Sequence, residues 1–345
     1  MALLRGLVTP SKIIGKCSVL LMTVLAVKGY CICILEIAPT LIRYRWSYAC
    51  IFHALFIPTI FNYYRVAFMS STHSSTSDDE VIFNDEWVPC TRDGSQRRCH
   101  RDACTGRVKQ PRSRHCGECK RDRHAFDHHC PWFDACIAHD TIPSFILTCI
   151  LMPAVSTFGA LPILPSLYSG FHHARHFSKV DEWISANFWN TRLAYPPGPL
   201  GARAIRYALG YWRLSNVEGI RPSVYHVRWD VTFSALSAFL VSIVASALLY
   251  TVASGVLTAR SSVDLERCKS YTKVTRKLDK DPSNTHLIAT AAALEPVEHF
   301  RSTRTNSIIK TDITVWHLGW YRNCRRLLFN EYQHTLNEEY TRKRE

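Results

Sequence analysis

Asp127-His128-His129-Cys130-Pro131-Trp132 places a carboxylate, two imidazoles and a thiol on four consecutive positions. Outward from it the chain reads Cys99-x4-Cys104-x10-His115-Cys116-x2-Cys119-x9-His129-Cys130-x5-Cys136. Zinc takes four ligands in a tetrahedron, and a two-residue gap such as that between Cys116 and Cys119 lets both sulfurs reach one ion. The segment has almost no apolar core, with Phe126, Pro131 and Trp132 among its few large nonpolar groups. Metal is therefore expected to hold it together, as about 10–16 kcal/mol of apparent zinc-binding energy does in zinc-finger peptides.

This polar cluster lies between long apolar blocks, at Cys17–Ala38, Tyr48–Met69, Ile142–Tyr168 and Val231–Val252. Each is near the roughly 20 residues that a helix needs to cross a bilayer. The expected fold is an all-α polytopic membrane protein, with four transmembrane helices and a cytosolic zinc-binding cysteine-rich domain between helices 2 and 3. The divisions follow: helices 1 and 2 in residues 1–70, the cysteine-rich domain in 71–141, helix 3 in 142–168, an extracytosolic loop in 169–230, helix 4 in 231–257, and a cytosolic tail in 258–345. The tail is expected to be formless between about 279 and 306 and more ordered near Trp316–Phe329. A signal-peptide reading of the first block fails on length, because such h-regions run about 7–15 residues.

The net charge of +14 is dispersed over loops, which argues against nucleic acid and for anionic lipid headgroups. Arginines and lysines flank the blocks on both sides, so charge bias leaves the orientation open. The 14 cysteines decide it. Most of those outside the apolar blocks crowd between Cys90 and Cys136 among histidines at ligand spacing, a pattern of metal-bound thiolates in a reducing compartment.

Cys130 admits two readings. It is a nucleophile, with His128 as base or imidazolium partner and Asp127 fixing the tautomer of that ring, or it is one more zinc ligand.

Around these residues the chain resembles the DHHC family of protein S-acyltransferases (palmitoyltransferases). The matching text is Pro111-Arg112-Ser113-Arg114-His115-Cys116-Gly117-Glu118-Cys119, then Phe126-Asp127-His128-His129-Cys130-Pro131-Trp132, then Cys136 and Phe145. Ser261-Ser262-Val263-Asp264 resembles the family's Thr-Thr-x-Glu motif, and Leu318-Gly319-Trp320-Tyr321-Arg322-Asn323 its aromatic C-terminal motif.

The resemblance implies two structural Zn2+ sites. One would comprise Cys116, Cys119, His129 and Cys136. The other would comprise Cys99, Cys104, His115 and Asp122, where Asp122 stands in the place of a family cysteine and His124 is an alternative. It implies that Cys130 takes a long-chain acyl group from palmitoyl-CoA and passes it to cysteines of membrane-associated proteins. The chain would lie in a cavity among the helices, and Arg112, Arg114, Lys120, Arg121 and Arg123 would attract the CoA phosphates. The expected location is the endoplasmic reticulum, the Golgi or the plasma membrane. The alternatives are a catalytically weakened zinc module that acts as a protein-binding scaffold, marked by Asp122, and a membrane-tethered ubiquitin ligase. The ligase would leave the Asp127, His128 and Cys130 run unexplained.

Overall fold

The structure, a computed structural model, describes residues 10–72, 87–104, 106–109, 112–192, 198–216, 229–258, 260–295, 297–302, 304–312 and 321–323. The chain groups into two compact units. One takes the residues up to Leu21, Thr59–Ile150 and Ser246 onward, and the other takes Met22–Pro58 and Leu151–Ala245.

Helix α1 (Pro10–Cys31) passes through a π-helical stretch, Ile32–Ile37, into the short α2 (Ala38–Leu41). Pro39 falls in the first turn of α2, where a missing N–H is tolerated. Helix α3 (Arg45–Thr72) follows. Seven short strands then build the cysteine-rich part: β1 (Trp87–Cys90), β2 (Arg98–Cys99), β3 (Arg107–Val108), β4 (Arg114–Cys116), β5 (Arg121–Arg123), β6 (His128–Cys130) and β7 (Ala135–Ile137). After them come α4 (Ile142–Ala160), α5 (Leu164–Val180), α6 (Glu182–Ile184), α7 (Gly198–Ser215), α8 (Trp229–Leu257), α9 (Ser262–Leu278), α10 (Thr285–Leu294), β8 (Val297–Ser302) and β9 (Ile308–Asp312).

Among the described residues, three stretches are long and apolar enough to cross a membrane: Ile13–Leu41, Ile142–Val180 and Trp229–Leu257. The second expected span forms one helix of 28 residues, α3. It is not among those three, because His53, Asn62, Arg65 and its tyrosines dilute its apolar character. The third stretch outruns its expected end at Tyr168. Pro162 and Pro165 do not break it, because each sits at the start of a helical segment, one 3-10 (Leu161–Ile163) and one α.

The described residues are mostly helical, as expected, but the all-α reading needs correction in the cysteine-rich part, which is built of short β-strands. The tail is not formless between 279 and 306 either, for α10 and β8 lie there. Of the C-terminal motif, Leu318, Gly319 and Trp320 lie outside the described residues.

In the unit that contains Leu151–Ala245, the core gathers Ile32, Cys33, Ile37, Tyr48, Phe52, Val155, Ile163 and Val231. Within residues 169–230, expected as a loop, α5 pairs with α7. Gly210 permits that approach: a Cβ there would stand 2.5 Å from the Ala174 carbonyl oxygen and 2.7 Å from the Ser178 side chain. Arg206 reinforces the pair by donating to the Ser178 carbonyl at 3.0 Å and lying 4.7 Å from the Trp189 ring. Gly210→Ala should therefore destabilise this hairpin by about 1–3 kcal/mol, an overpacking cost. Thermal unfolding of the full-length chain in detergent would show a lowered midpoint.

In the other unit, β2–β3, β4–β5 and β6–β7 are three antiparallel hairpins, and β1, β8 and β9 form an antiparallel sheet in the order β1-β8-β9. The register sets Trp87 opposite Ser302 and Cys90 opposite His299, so the start of the cysteine-rich part and the tail share one sheet.

Candidate active site and metal centres

The hairpins are too short to stand alone, since even a full two-stranded hairpin is marginal in water. Strands and turns together carry the donors. Cys116 ends β4 and Cys119 lies in the turn to β5, while the paired residues His129 and Cys136 come from β6 and β7. Ligand atoms of these four lie within 4.8 Å of one another. Cys119 Sγ is 3.4 Å from His129 Nδ1 and 3.3 Å from Cys136 Sγ, and Cys136 Sγ is 3.8 Å from His129 Nδ1. Bonds of about 2.3 Å to sulfur and 2.0 Å to nitrogen make tetrahedron edges of about 3.5–3.8 Å, so the group fits zinc.

Donors packed this closely must share protons or a cation. Hydrogen bonds to the Cys116 and Cys119 sulfurs push His129 up to about 10. Hydrogen bonds with Cys119 and Cys136 drive the Cys116 thiol down.

A second group joins Cys99 and Cys104 of the β2–β3 hairpin to His115 of β4. His115 Nδ1 is 3.4 Å from each sulfur. Its Nε2 donates to Asp102 Oδ2 at 2.9 Å, the outer carboxylate that commonly orients a metal-bound histidine. The structure does not bring Asp122 into this group. Asp122 stands opposite His115 in the β4–β5 register, but its carboxylate accepts from Ser113 Oγ and meets Lys109 Nζ at 3.3 Å. His124 is not in the group either; its ring packs against His139 at 5.4 Å.

Strand alternation separates the thiol of interest from the metal donors. On β6, His129 turns to Cys136 and Cys119, so His128 and Cys130 share the opposite face. Cys130 is 1% exposed and belongs to neither metal group.

His128 Nδ1 donates to Asp127 Oδ2 at 2.7 Å. The Asp127 carboxylate also accepts from the Ser262 backbone N–H at 2.6 Å and from Ser262 Oγ at 2.9 Å. It thus sits at the N-terminus of α9, where the helix dipole favours an anion. Burial alone would raise the Asp127 carboxyl, but the hydrogen bonds from His128 and Ser262 hold it below the usual range. Burial likewise opposes a charge on His128, yet the Asp127 hydrogen bond and the Cys130 sulfur outweigh it and push the imidazole up to about 9. The Nε2 of His128 is buried without a hydrogen-bond partner of ordinary geometry. Such contacts tighten when a substrate binds.

Aromatic rings enclose this corner. Phe145 of α4 meets the His128 ring edge-on at 5.9 Å and Phe133 at 5.4 Å. Tyr63 of α3 packs on Phe133 at 4.8 Å and donates to the Trp132 carbonyl at 2.9 Å.

Two of the basic residues expected to meet CoA have another duty. Arg112 and Arg114 reach Asp264 at 3.1 and 3.8 Å, and Asp264 also closes the capping box that starts α9. Arg123 is buried, while Lys120 and Arg121 are exposed. Asp264→Ala would leave Arg112 buried without its carboxylate and loosen the start of α9, where Ser262 holds Asp127. The expected loss is about 3–5 kcal/mol. It would be read as a lowered unfolding midpoint, restored in part by the double variant Arg112→Met/Asp264→Leu, which removes the stranded charge but not the lost cap.

Contacts that the motif comparison did not foresee come from the tail. The Asn323 side chain donates to the Leu257 carbonyl at the end of α8 at 2.7 Å. Glu298 of β8 accepts from the Arg112 backbone at 3.0 Å and from Arg97 at 3.4 Å. No local pattern marked Glu298, because its partners lie 186 and 201 residues away.

Comparison with known proteins agrees with this geometry. Residues 95–259 match the family model described as DHHC palmitoyltransferase. The chain is similar to palmitoyltransferase PFA3 of Kluyveromyces lactis, with 26% identity over 124 residues that cover 36% of this chain and 37% of that protein. It is 50% identical to palmitoyltransferase akr1 of Schizosaccharomyces pombe over 44 residues, 12% of this chain and 7% of that one. It is 29% identical to human palmitoyltransferase ZDHHC3 over 80 residues, 23% and 24% of the two chains. The matches thus span well under half the length of these relatives.

Proposed function

We propose, from the premise that residues 95–259 of this chain form a DHHC palmitoyltransferase domain, that the chain is a protein S-acyltransferase working through Cys130. The observation that carries the reading is the line Ser262–Asp127–His128 ending at a buried thiol outside both metal groups.

In the first step the Cys130 thiolate attacks the thioester carbonyl of a long-chain acyl-CoA, the C–S bond to CoA breaks, and CoA leaves as a thiol with the proton of the His128 imidazolium. In the second, an acceptor cysteine gives its proton back to His128 and attacks the acyl-enzyme, and Cys130 leaves as thiolate. Each step exchanges one thioester for another, so the demands are geometric. Asp127 holds the ring and the charge of His128, and Ser262 holds Asp127.

Zinc would be held by Cys116, Cys119, His129 and Cys136, and by the group of Cys99, Cys104 and His115. Its contribution is rigidity: the first set fixes β6 and therefore where Cys130 points. We assign α3 to the bilayer together with the three apolar stretches, giving four spans with both termini on the side of the cysteine-rich domain. We take that side to be the cytosol, since cysteines crowded with histidines at metal-ligand distances suit metal-bound thiolates in a reducing compartment. The acyl chain would lie among the spans, where burial favours it by about 0.8 kcal/mol per methylene. Lys120 and Arg121, both exposed, would be contacts for CoA phosphates. Acceptors are cysteines of membrane-associated proteins at an endomembrane, either the endoplasmic reticulum or the Golgi, or at the plasma membrane.

The test is acyl transfer by the purified full-length chain in lipid nanodiscs. Alkyne-tagged palmitoyl-CoA should give a hydroxylamine-labile label on the chain, and that label should move to a cysteine-containing acceptor when free CoA thioester is removed. A chain that binds zinc and never takes up label supports the scaffold reading instead.

A further inference from the structure

We propose that the two metal centres are unequal: Asp122 has left the coordination shell of the Cys99–Cys104–His115 centre, which holds zinc with three protein donors oriented by Asp102 and releases it faster than the four-donor centre. The inference rests on the zinc reading given above.

The imidazole of His115 is fixed at both ends. Nδ1 faces the two sulfurs at 3.4 Å each, and Nε2 donates to Asp102 at 2.9 Å. Asp102 lies between the two cysteines in sequence and has a φ of 47°, in the left-handed region that costs a residue other than glycine energy. The fold thus keeps a strained aspartate where its carboxylate meets the far side of the metal-facing ring. That is the work of a positioning residue and requires no fourth ligand.

Asp122 has the opposite character. Its backbone faces the centre, hydrogen-bonded to Cys104. Its carboxylate turns elsewhere, to Ser113 Oγ and to the ammonium of Lys109. Both partners of the ion pair are largely buried, at 19% and 7% side-chain exposure. Swinging the carboxylate to a metal would strand the Lys109 charge, and an unpaired buried charge is strongly unfavourable.

Two thiolates, a neutral imidazole and Zn2+ sum to zero net charge, so the centre also has no electrostatic need for a further anion. The fourth position falls to solvent, and a metal with an open position exchanges more readily than one in a closed set.

The experiment counts zinc in the full-length chain in detergent by mass spectrometry and follows its release to a chromogenic chelator. Two zinc ions per chain should leave in two phases. Asp122→Asn, which keeps an acceptor for Ser113 but removes the anion, should leave the zinc count and both rates within about two-fold. The double variant Lys109→Met/Asp122→Asn should do the same, and it excludes an effect of a stranded lysine. Asp122→Cys should slow the fast phase alone, by at least ten-fold. Asp102→Asn should speed it by about ten-fold, the usual scale for loss of an outer-shell partner.

Loss of one zinc from both variants that lack the Asp122 anion would make Asp122 a ligand and overturn the inference. So would a single release phase for both ions, or an Asp122→Cys chain indistinguishable from wild type. A wild-type chain without any zinc would overturn the metal-centre reading itself, an outcome recognisable from the count before any variant is compared.

Discussion

Cys130→Ser should reduce acyl-enzyme formation and acyl transfer by at least about 1,000-fold while leaving zinc content and the unfolding midpoint unchanged. The nucleophile in thioester exchange is a thiolate, whereas a serine hydroxyl is not ionised near neutral pH and needs a full general base. Here His128 carries its proton up to about 9 and is already paired to Asp127, so it is set to stabilise a thiolate rather than to deprotonate a hydroxyl. The fold should not notice the change, because Cys130 belongs to neither metal group and its side chain faces away from His129 on β6. Label uptake on CoA exposure is the readout. Equal uptake by the serine variant would mean that the acyl group sits elsewhere.

Cys119→Ser should be nearly as damaging by a different route. Cys119 Sγ lies 3.3–3.4 Å from two of its companion donors and bridges hairpin β4–β5 to hairpin β6–β7. With one thiolate lost, the binding energy that organises the domain, about 10–16 kcal/mol for structural zinc in small peptides, falls away in large part. Strands of two or three residues cannot replace it. Zinc content should fall by about one equivalent, the cysteine-rich part should become protease-sensitive, and acyl label should drop to background although residues 127–130 are unaltered. Cys90→Ser is the control. Cys90 is buried in β1 outside both metal groups, and its replacement should keep the metal and most of the activity.

Much of the site could be read from spacing. The interval between Cys116 and Cys119 suggested a shared ion, and the family resemblance added His129 and Cys136, whose donor atoms lie beside theirs. Asp127 and His128 are bonded as the run implied. The β character of the cysteine-rich part could not be read, because strands of two or three residues are too short for a period-two pattern to show. Had β6 been recognised as a strand, the alternation of His128, His129 and Cys130 would have divided reactive from structural roles without appeal to resemblance.

Other misreadings have physical causes as well. The expected end of the third span is Tyr168, where the apolar run gives way to polar residues, yet the helical stretch runs on to Val180, and Pro162 and Pro165 fall at segment starts where proline is tolerated. Strand β8 shows burial on alternate residues, but its partner β1 lies some two hundred residues earlier, beyond the reach of local pattern. Asp122 offered an oxygen ligand by type. What its carboxylate does depends on Lys109 and Ser113, and neither was a candidate by sequence.

The most direct measurement is peptide mapping of the purified chain after brief exposure to palmitoyl-CoA, before and after hydroxylamine. One palmitoyl group on Cys130, removed by hydroxylamine and competent to reach an acceptor cysteine, is the expected result. A palmitoyl group carried on Cys149 of α4 with Cys130 unmodified, or a zinc-loaded chain that carries none, would contradict it.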